Sequence, residues 1–276
     1  MRILTVNADD FGFTRDVNAG IIEAHRNGIL TSATLMANGD AFEDAVRLAG
    51  ANPSLDIGVH LTLVGARSVA DPGRILPQTT GQLIGTLLGG GLDVERELEA
   101  QIQKILSAGI RPTHLDTHKH THLLPPVLRA VARLAQRYRI LWVRRPFDLP
   151  WEGEGIPWTR RLVSRAMGLL RRRFHGVLER HGCRTTDHFA GFLLTGLYGP
   201  GDLARLIRRL PEGWTEFMCH PGFCTHELRQ ARTRLKESRV RELEALTSPE
   251  VRAAVAEAGV RLAGFGPAAD DFRAPS

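Results

Sequence analysis

His114-Leu-Asp116-Thr-His118-Lys-His120-Thr-His122 places an ionisable or metal-capable side chain at every second position. Alternate side chains of an extended strand point to one face. His114, Asp116 and His118 are therefore expected to line a single surface, with Leu115 and Thr117 turned away. If the backbone stays extended, His120 and His122 prolong the row into the loop beyond. Buried imidazoles and carboxylates cost free energy unless they are paired or metal-bound. Core packing gives no reason for such a row, whereas a metal-dependent active site requires one.

Outward from this stretch, short β-rich runs alternate with longer helical patterns, which argues for repeated βα units and a largely parallel sheet. Strands are expected at 3–6, 32–37, 57–63, 113–116, 140–143, 189–192, 215–219 and 261–264. Helices are expected at 17–27, 41–49, 94–107, 126–138, 160–180, 201–209, 233–245 and 249–258. Reactive side chains gather where strands end: Asn7, Asp9 and Asp10 after the first, Asn38 after the second, His60 in the third, His118 after the fourth, Arg144 and Arg145 after the fifth, His220 after the seventh. That distribution is what the catalytic face of a barrel requires. Seven or eight βα units suggest an α/β fold closed into a whole or incomplete barrel; an open doubly wound sheet is the alternative, but it would spread those ends along a line. The length of 276 residues suits one such barrel. No linker divides the chain, so 1–276 reads as a single catalytic domain. Residues 64–91 read as a long excursion, a lid by its place in the chain, and 267–276 as a loose tail.

Composition bounds the function. With 43% hydrophobic and 24% charged residues the chain has the balance of a globular protein with a large core. No leader and no apolar stretch long enough for a bilayer is apparent, and three cysteines (Cys183, Cys219, Cys224) form no CxxC, so a reducing, cytoplasmic setting is expected. The net charge of +6 is uneven: residues 159–184 hold eight arginines and one glutamate. From Arg160 to Arg180 apolar and basic residues alternate at helical spacing. This helix is either a solvated one whose stripe of Leu162, Ala166, Leu169, Leu170 and Phe174 packs on the core, or a contact with an anionic membrane surface at the inner face. Aromatics are too scarce for base stacking, so nucleic acid is not an expected partner. A homodimer is compatible with the sequence.

Three further constellations carry chemistry. Asn7-Ala-Asp9-Asp10-Phe11-Gly12 sets two adjacent carboxylates past a buried strand, where they cap a turn or divide cation binding from water activation. Gly58-Val-His60 puts one His inside an apolar strand, as a satisfied core residue or a ligand. Two imidazoles and a carboxylate with open positions suit Zn²⁺, Mn²⁺, Fe²⁺, Co²⁺ or Mg²⁺. In Met218-Cys-His220-Pro221 the proline holds His220 extended, fixing an imidazole that either bonds the backbone or acts as a general acid.

Asn7-Ala-Asp-Asp-Phe-Gly12, Gly58-Val-His60, His114-Leu-Asp-Thr-His118-Lys-His120 and Met218-Cys-His-Pro221, taken together and in this order, resemble the YdjC-like carbohydrate deacetylases, which include chitooligosaccharide deacetylases. The resemblance runs from residue 3 to about 265. It implies a distorted TIM-like (β/α) barrel with about seven parallel strands and hydrolysis of an N-acetyl group from an amino sugar. It implies a divalent metal ion, Mg²⁺ or Zn²⁺, on Asp10, His60 and His118, with Asp9 as base and His220 as acid; spacing alone does not separate Asp9 from Asp10. Arg144 or Arg145 would orient Asp9 or hold the sugar, and Asp116 would buttress a ligand histidine. Thr186-Asp187-His188-Phe189 and Leu194-Thr-Gly196 are similar to the hopanoid-biosynthesis-associated branch, which implies a glycolipid substrate, although Asp116 and Cys219-His220-Pro-Gly depart from that branch. Two rivals stand beside this reading. A metallophosphoesterase or amidohydrolase on a similar barrel often opens with His-x-His where this chain has Asp9-Asp10. A non-catalytic peripheral membrane protein would not need to keep every ligand and both acid–base groups.

Overall fold

The computed structural model of the chain describes residues 1–151 and 155–266. The expected tail, 267–276, lies outside them. Eight parallel strands alternate with helices: β1 (Arg2–Phe11), α1 (Arg15–Asn27), β2 (Ser32–Leu35), α2 (Phe42–Gly50), β3 (Asp56–Leu61), α3 (Thr80–Leu88), α4 (Val94–Ser107), β4 (His114–Thr117), α5 (Pro125–Tyr138), β5 (Trp142–Val143), α6 (Trp158–Leu169), α7 (Arg171–Arg180), β6 (His188–Ala190), α8 (Pro200–Arg208), β7 (Gly213–Cys219), α9 (His226–Gln230), α10 (Glu237–Thr247), α11 (Pro249–Glu257) and β8 (Val260–Leu262). The strand order is β5-β4-β3-β2-β1-β7-β6. β8 pairs with the first residues of β1, below the point where β2 takes over. Parallel bridges between Trp142 and Arg184 and between Asp148 and Phe189 join the β5 edge to the β6 edge, so seven strands curl into the distorted barrel that the sequence suggested.

Local chemistry sets the helix starts. Thr14 caps α1 by accepting from Val17 N, Asp93 caps α4 through Arg96 N, and Ser248 caps α11 ahead of a proline at its first position. The helices bury one stripe each against the strands; in α1 that stripe includes Val17, Ile21 and Ala24. Strands covered inside and out read as continuous apolar runs, and from Ile3 to Phe11 every residue of β1 is buried.

The barrel interior is layered. Ile3, Trp142, Trp214 and Phe265 plug its amino-terminal end, with the two tryptophan rings 4.6 Å apart. Above them His114 stacks on Phe265 at 4.2 Å, its ring lying where a Cβ on Gly58 would clash at 2.6 Å. Polar side chains fill the carboxyl-terminal end.

Four expectations are corrected. β1 runs on to Phe11 instead of stopping at Val6, because Asp9 and Asp10 are each ion-paired inside the barrel. β4 ends at Thr117; His118–Leu123 turns into a 3₁₀ segment with Lys119 and His120 in left-handed conformation, so the row of alternating side chains does not continue past the strand. The basic helix breaks at Leu170 into α6 and α7. The excursion after β3 contains α3 and is moored to α4, where Glu97 accepts from Ser68, Val69 N and Ala70 N.

Candidate active site

Regular pleating would send Asp9 and Asp10 to opposite faces of β1. The pairing of β1 with β2 slips between Ala8 and Phe11, and Asp10 takes a left-handed backbone with φ of 67°. The irregularity turns both carboxylates into the barrel mouth. Non-glycine residues rarely adopt this conformation, and Asp10 is held in it by partners on both of its oxygens.

Three atoms converge there. Asp10 Oδ1 lies 3.1 Å from His118 Nδ1 and 3.4 Å from His60 Nε2, and the two imidazole nitrogens are 3.2 Å apart. His60 comes from β3, and the turn that ends β4 brings in His118. His60 Nδ1 donates to Asp116 Oδ1 at 2.7 Å, the register partner of His60 on the neighbouring strand. That bond fixes the ring so that Nε2 faces Asp10 and His118. Asp10 Oδ2 accepts from Arg239 of α10.

Arg144, just after β5, is buried among three carboxylates. Its guanidinium grips both oxygens of Asp9 at 2.7 Å, reaches Asp116 Oδ2 at 2.6 Å, and its Nε donates to Glu216 Oε1 at 2.6 Å. The Asp9 grip is the bidentate fork–carboxylate geometry. His220 follows β7, with Nε2 at 3.9 Å from Asp9 Oδ2; its backbone N–H donates to Glu242 Oε2 at 2.6 Å.

The electrostatics follow from this packing. Burial alone would raise the Asp9 carboxyl, but Arg144, His60 and His220 outweigh it and hold it lowered. Asp10 is likewise pushed up by burial and brought well below its usual range by Arg239, His118 and His60. Burial pulls His60 down, yet Asp116, Asp10 and Asp9 lift it to about 10. Burial lowers His220, with Glu242, Asp9 and Asp10 opposing. Burial raises Glu216 to about 7 despite Arg144, and its Oε2 has no hydrogen-bond partner among the described residues. Asp9, Asp10 and Asp116 face two arginines, and the surplus of carboxylate charge is what lifts His60.

That donor set fits a divalent cation. A second grouping, Asp9, His60 and Asp116, also has ligand atoms within reach of one another. Arg144 already occupies both oxygens of Asp9, and Asp116 is engaged by His60 and Arg144, whereas Asp10 has an arginine on Oδ2 alone and turns Oδ1 towards His60 Nε2 and His118 Nδ1. Their chemistry, two imidazoles and a carboxylate, suits Zn²⁺ or another first-row ion. The site opens to solvent over His118, whose side chain is 25% exposed while that of Asp10 is 5%.

Other sequence candidates lie elsewhere. His114 shares the inward face with Asp116 but sits a layer below, donating through Nε2 to Asn7 Oδ1 at 2.9 Å. His122 donates through Nε2 to the Arg144 carbonyl at 3.0 Å and accepts from Thr117; His120 is buried against Phe189 and Phe192. Arg145 donates to the carbonyl of Asp187, and Asn38 to that of Arg67. Arg239, Glu216 and Glu242 escaped the sequence reading. A lone Glu in the apolar run of β7 was a usable signal for Glu216; Arg239 and Glu242 look like any polar residues of a surface helix.

The family model described as YdjC-like protein matches residues 3–257. A carbohydrate deacetylase of Geobacillus stearothermophilus is 37% identical over 95% of this chain and 96% of its own length. A chitooligosaccharide deacetylase of Salmonella paratyphi B is 33% identical over 96% and 98%. A crystal structure from Enterococcus faecalis V583, provisionally designated a cellobiose-phosphate cleavage protein, superposes with a TM-score of 0.72 at 29% identity, covering 96% of this chain and 97% of that one. Matched over nearly its whole described length, the chain belongs to the YdjC-like family.

Proposed function

We propose that the protein is a metal-dependent hydrolase that removes the N-acetyl group from an amino sugar, taking N-acetylglucosamine-containing oligosaccharides or a glycolipid that carries the same sugar. One observation carries the reading: Asp10 Oδ1, His60 Nε2 and His118 Nδ1 meet within 3.4 Å, with Asp9 and His220 beside them at the open end of the barrel. The deacetylases among the relatives support the reaction class.

Asp10, His60 and His118 would hold a divalent cation, which when bound would supply Lewis acidity, lowering the pKa of water towards neutrality and polarising an amide carbonyl. Asp9, kept ionised by Arg144, accepts a proton at a carboxylate oxygen as water adds to the carbonyl carbon. Arg144 also fixes the direction of that carboxylate, which makes it a positioning residue. Burial keeps the His220 imidazole neutral at rest, so the proton it delivers must first reach it. Asp9, 3.9 Å away, is the nearby source. His220 then protonates the nitrogen as the C–N bond breaks, and acetate and a free amine leave. Asp116 holds the His60 ring, and Arg239 directs Asp10.

Acetate release from N,N′-diacetylchitobiose and from lipid-linked N-acetylglucosamine, by protein stripped of metal and reloaded with Zn²⁺ or Mg²⁺, tests the reading. The expected result is release that requires a metal and is lost on chelation. Absence of acetate with every cation, or turnover of phosphate esters instead, would transfer the site to the phosphoesterase alternative.

A further inference from the structure

Helices α6 and α7 carry an apolar surface that the described fold leaves uncovered. Of the five stripe residues only Phe174 is buried; Met167, Val177 and Leu178 are the other large apolar side chains of the two helices packed inside. Trp158 is 73% exposed, Leu162 56%, Val163 48%, Leu169 86% and Leu170 42%. These are five of the twelve large apolar residues exposed among the described ones, within thirteen positions. A soluble helix hides such residues; concentrated exposure marks an interaction surface.

The charge around that surface says what it meets. Eight arginines and one glutamate occupy residues 159–184. Arg160 is engaged by the carbonyls of Leu193 and Thr195, and Arg171 lies over the Phe147 ring. Arg165, Arg172 and Arg173 are exposed and make no ion pair with the described residues. Between α5 and α7 a cavity of about 540 Å³ has apolar walls, among them Leu128 and Val177, and a rim formed by Arg172, Arg173 and Arg180. Its wall continues to Leu123, the last residue of the 3₁₀ segment that begins at His118, and to Pro125 at the start of α5. A second copy docked by two-fold symmetry would set this arginine cluster against itself, which disfavours self-association.

We infer that the α6–α7 face is a docking surface for an anionic phospholipid bilayer. Trp158, Leu162 and Leu169 enter the boundary between headgroups and acyl chains while the arginines meet lipid phosphates, the arrangement of an interfacial amphipathic helix. No helix of the described residues is long and apolar enough to cross a membrane, so contact is at the surface. The face adjoins the open end of the barrel through Leu123 and Pro125, so docking brings the candidate active site close to the lipid.

Cosedimentation of the whole protein with vesicles tests this. Binding is expected to mixed phosphatidylcholine–phosphatidylglycerol vesicles and not to phosphatidylcholine alone, and to weaken as salt screens the charges. The triple variant Arg165→Gln, Arg172→Gln, Arg173→Gln should lower partitioning on the order of 100-fold, from three charges lost near an anionic surface. Leu169→Gln should lower it roughly tenfold through lost apolar burial. These side chains are exposed, so circular dichroism should show intact folds. Equal binding to neutral vesicles, no binding, or variants that bind like the parent overturn the inference. So does self-association in sedimentation velocity that the same variants abolish, which would assign the face to a second copy. None of these readouts depends on acetate release, so the outcome stands apart from the proposed reaction.

Discussion

Replacing Asp116 by asparagine keeps the volume of the side chain and removes its charge, and the contacts of Asp116 give the reason why a cation held by His60 should feel that small change. One oxygen accepts from His60 Nδ1 at 2.7 Å; the other meets Arg144 Nη1 at 2.6 Å and Thr34 Oγ1 at 3.1 Å. An amide offers one oxygen. Turned towards His60, its NH₂ confronts the Arg144 guanidinium, donor against donor. Turned towards Arg144, it donates to His60 Nδ1 and moves the imidazole proton onto Nε2, the atom that faces Asp10 and His118. Removing a group that orients a metal-ligating histidine typically weakens binding about 10–100-fold, which corresponds to about 1.4–2.8 kcal/mol. Isothermal titration of Zn²⁺ into chelator-stripped Asp116→Asn and parent protein should show that difference, with the fold unchanged by circular dichroism. A dissociation constant within twofold of the parent would refute the orienting role. Abolished binding would make Asp116 itself a ligand, in the grouping with Asp9 and His60.

Asp9→Asn should lower turnover on the order of 10²–10⁴-fold through loss of proton transfer, while Zn²⁺ affinity by the same titration stays within a few-fold; joint loss of both would place Asp9 on the metal. His220→Gln should reduce kcat over a similar range and leave KM nearly unchanged, as steady-state acetate assays would report. Gly20→Ala should destabilise the fold by about 1–3 kcal/mol, because the new Cβ would lie 2.4 Å from Gly222 Cα in the loop after His220; urea unfolding measures it. Burial holds His114 and His122 down to about 3, so the unfolded chain takes up protons below pH 6.5 that the native state refuses. Stability is therefore lost as pH falls from about 6.5 towards 3, roughly 2 kcal/mol per histidine by pH 5. Calorimetry in EDTA should show the melting temperature fall on the order of 10 °C between pH 7 and pH 5, and a flat profile would contradict neutral burial.

Much of this architecture is legible in the chain because its signals are local. Alternation of β-rich and helical runs gives the repeated βα units of a barrel, and single polar residues cluster where its strands end. His60 is conspicuous as the one imidazole in an apolar strand, and His220 through the proline that follows it. Local patterns fail where tertiary partners decide conformation. Nothing in Asn7-Ala-Asp-Asp-Phe announces a slip of register, because the left-handed turn at Asp10 depends on Arg239, 229 positions away. The alternation in His114–His122 suggests one long row, yet Lys119 and His120 leave the extended region, and His122 ends up supporting the Arg144 carbonyl. The Leu162–Leu170 stripe has the spacing of a core-facing helix and is mostly exposed, since spacing describes a face and not what lies opposite it.

Helix α10 holds Arg239 against Asp10 and, one turn later, Glu242 against the backbone of His220. Glu242 also accepts from Tyr198 and from Gly196 N. A single rigid rod therefore clamps both sides of the reaction space, and its sequence is invisible to any search for chemistry. Anyone transplanting this centre onto another scaffold, or shortening the 231–236 connection ahead of the rod, would displace the Asp10 carboxylate and the His220 imidazole in one stroke.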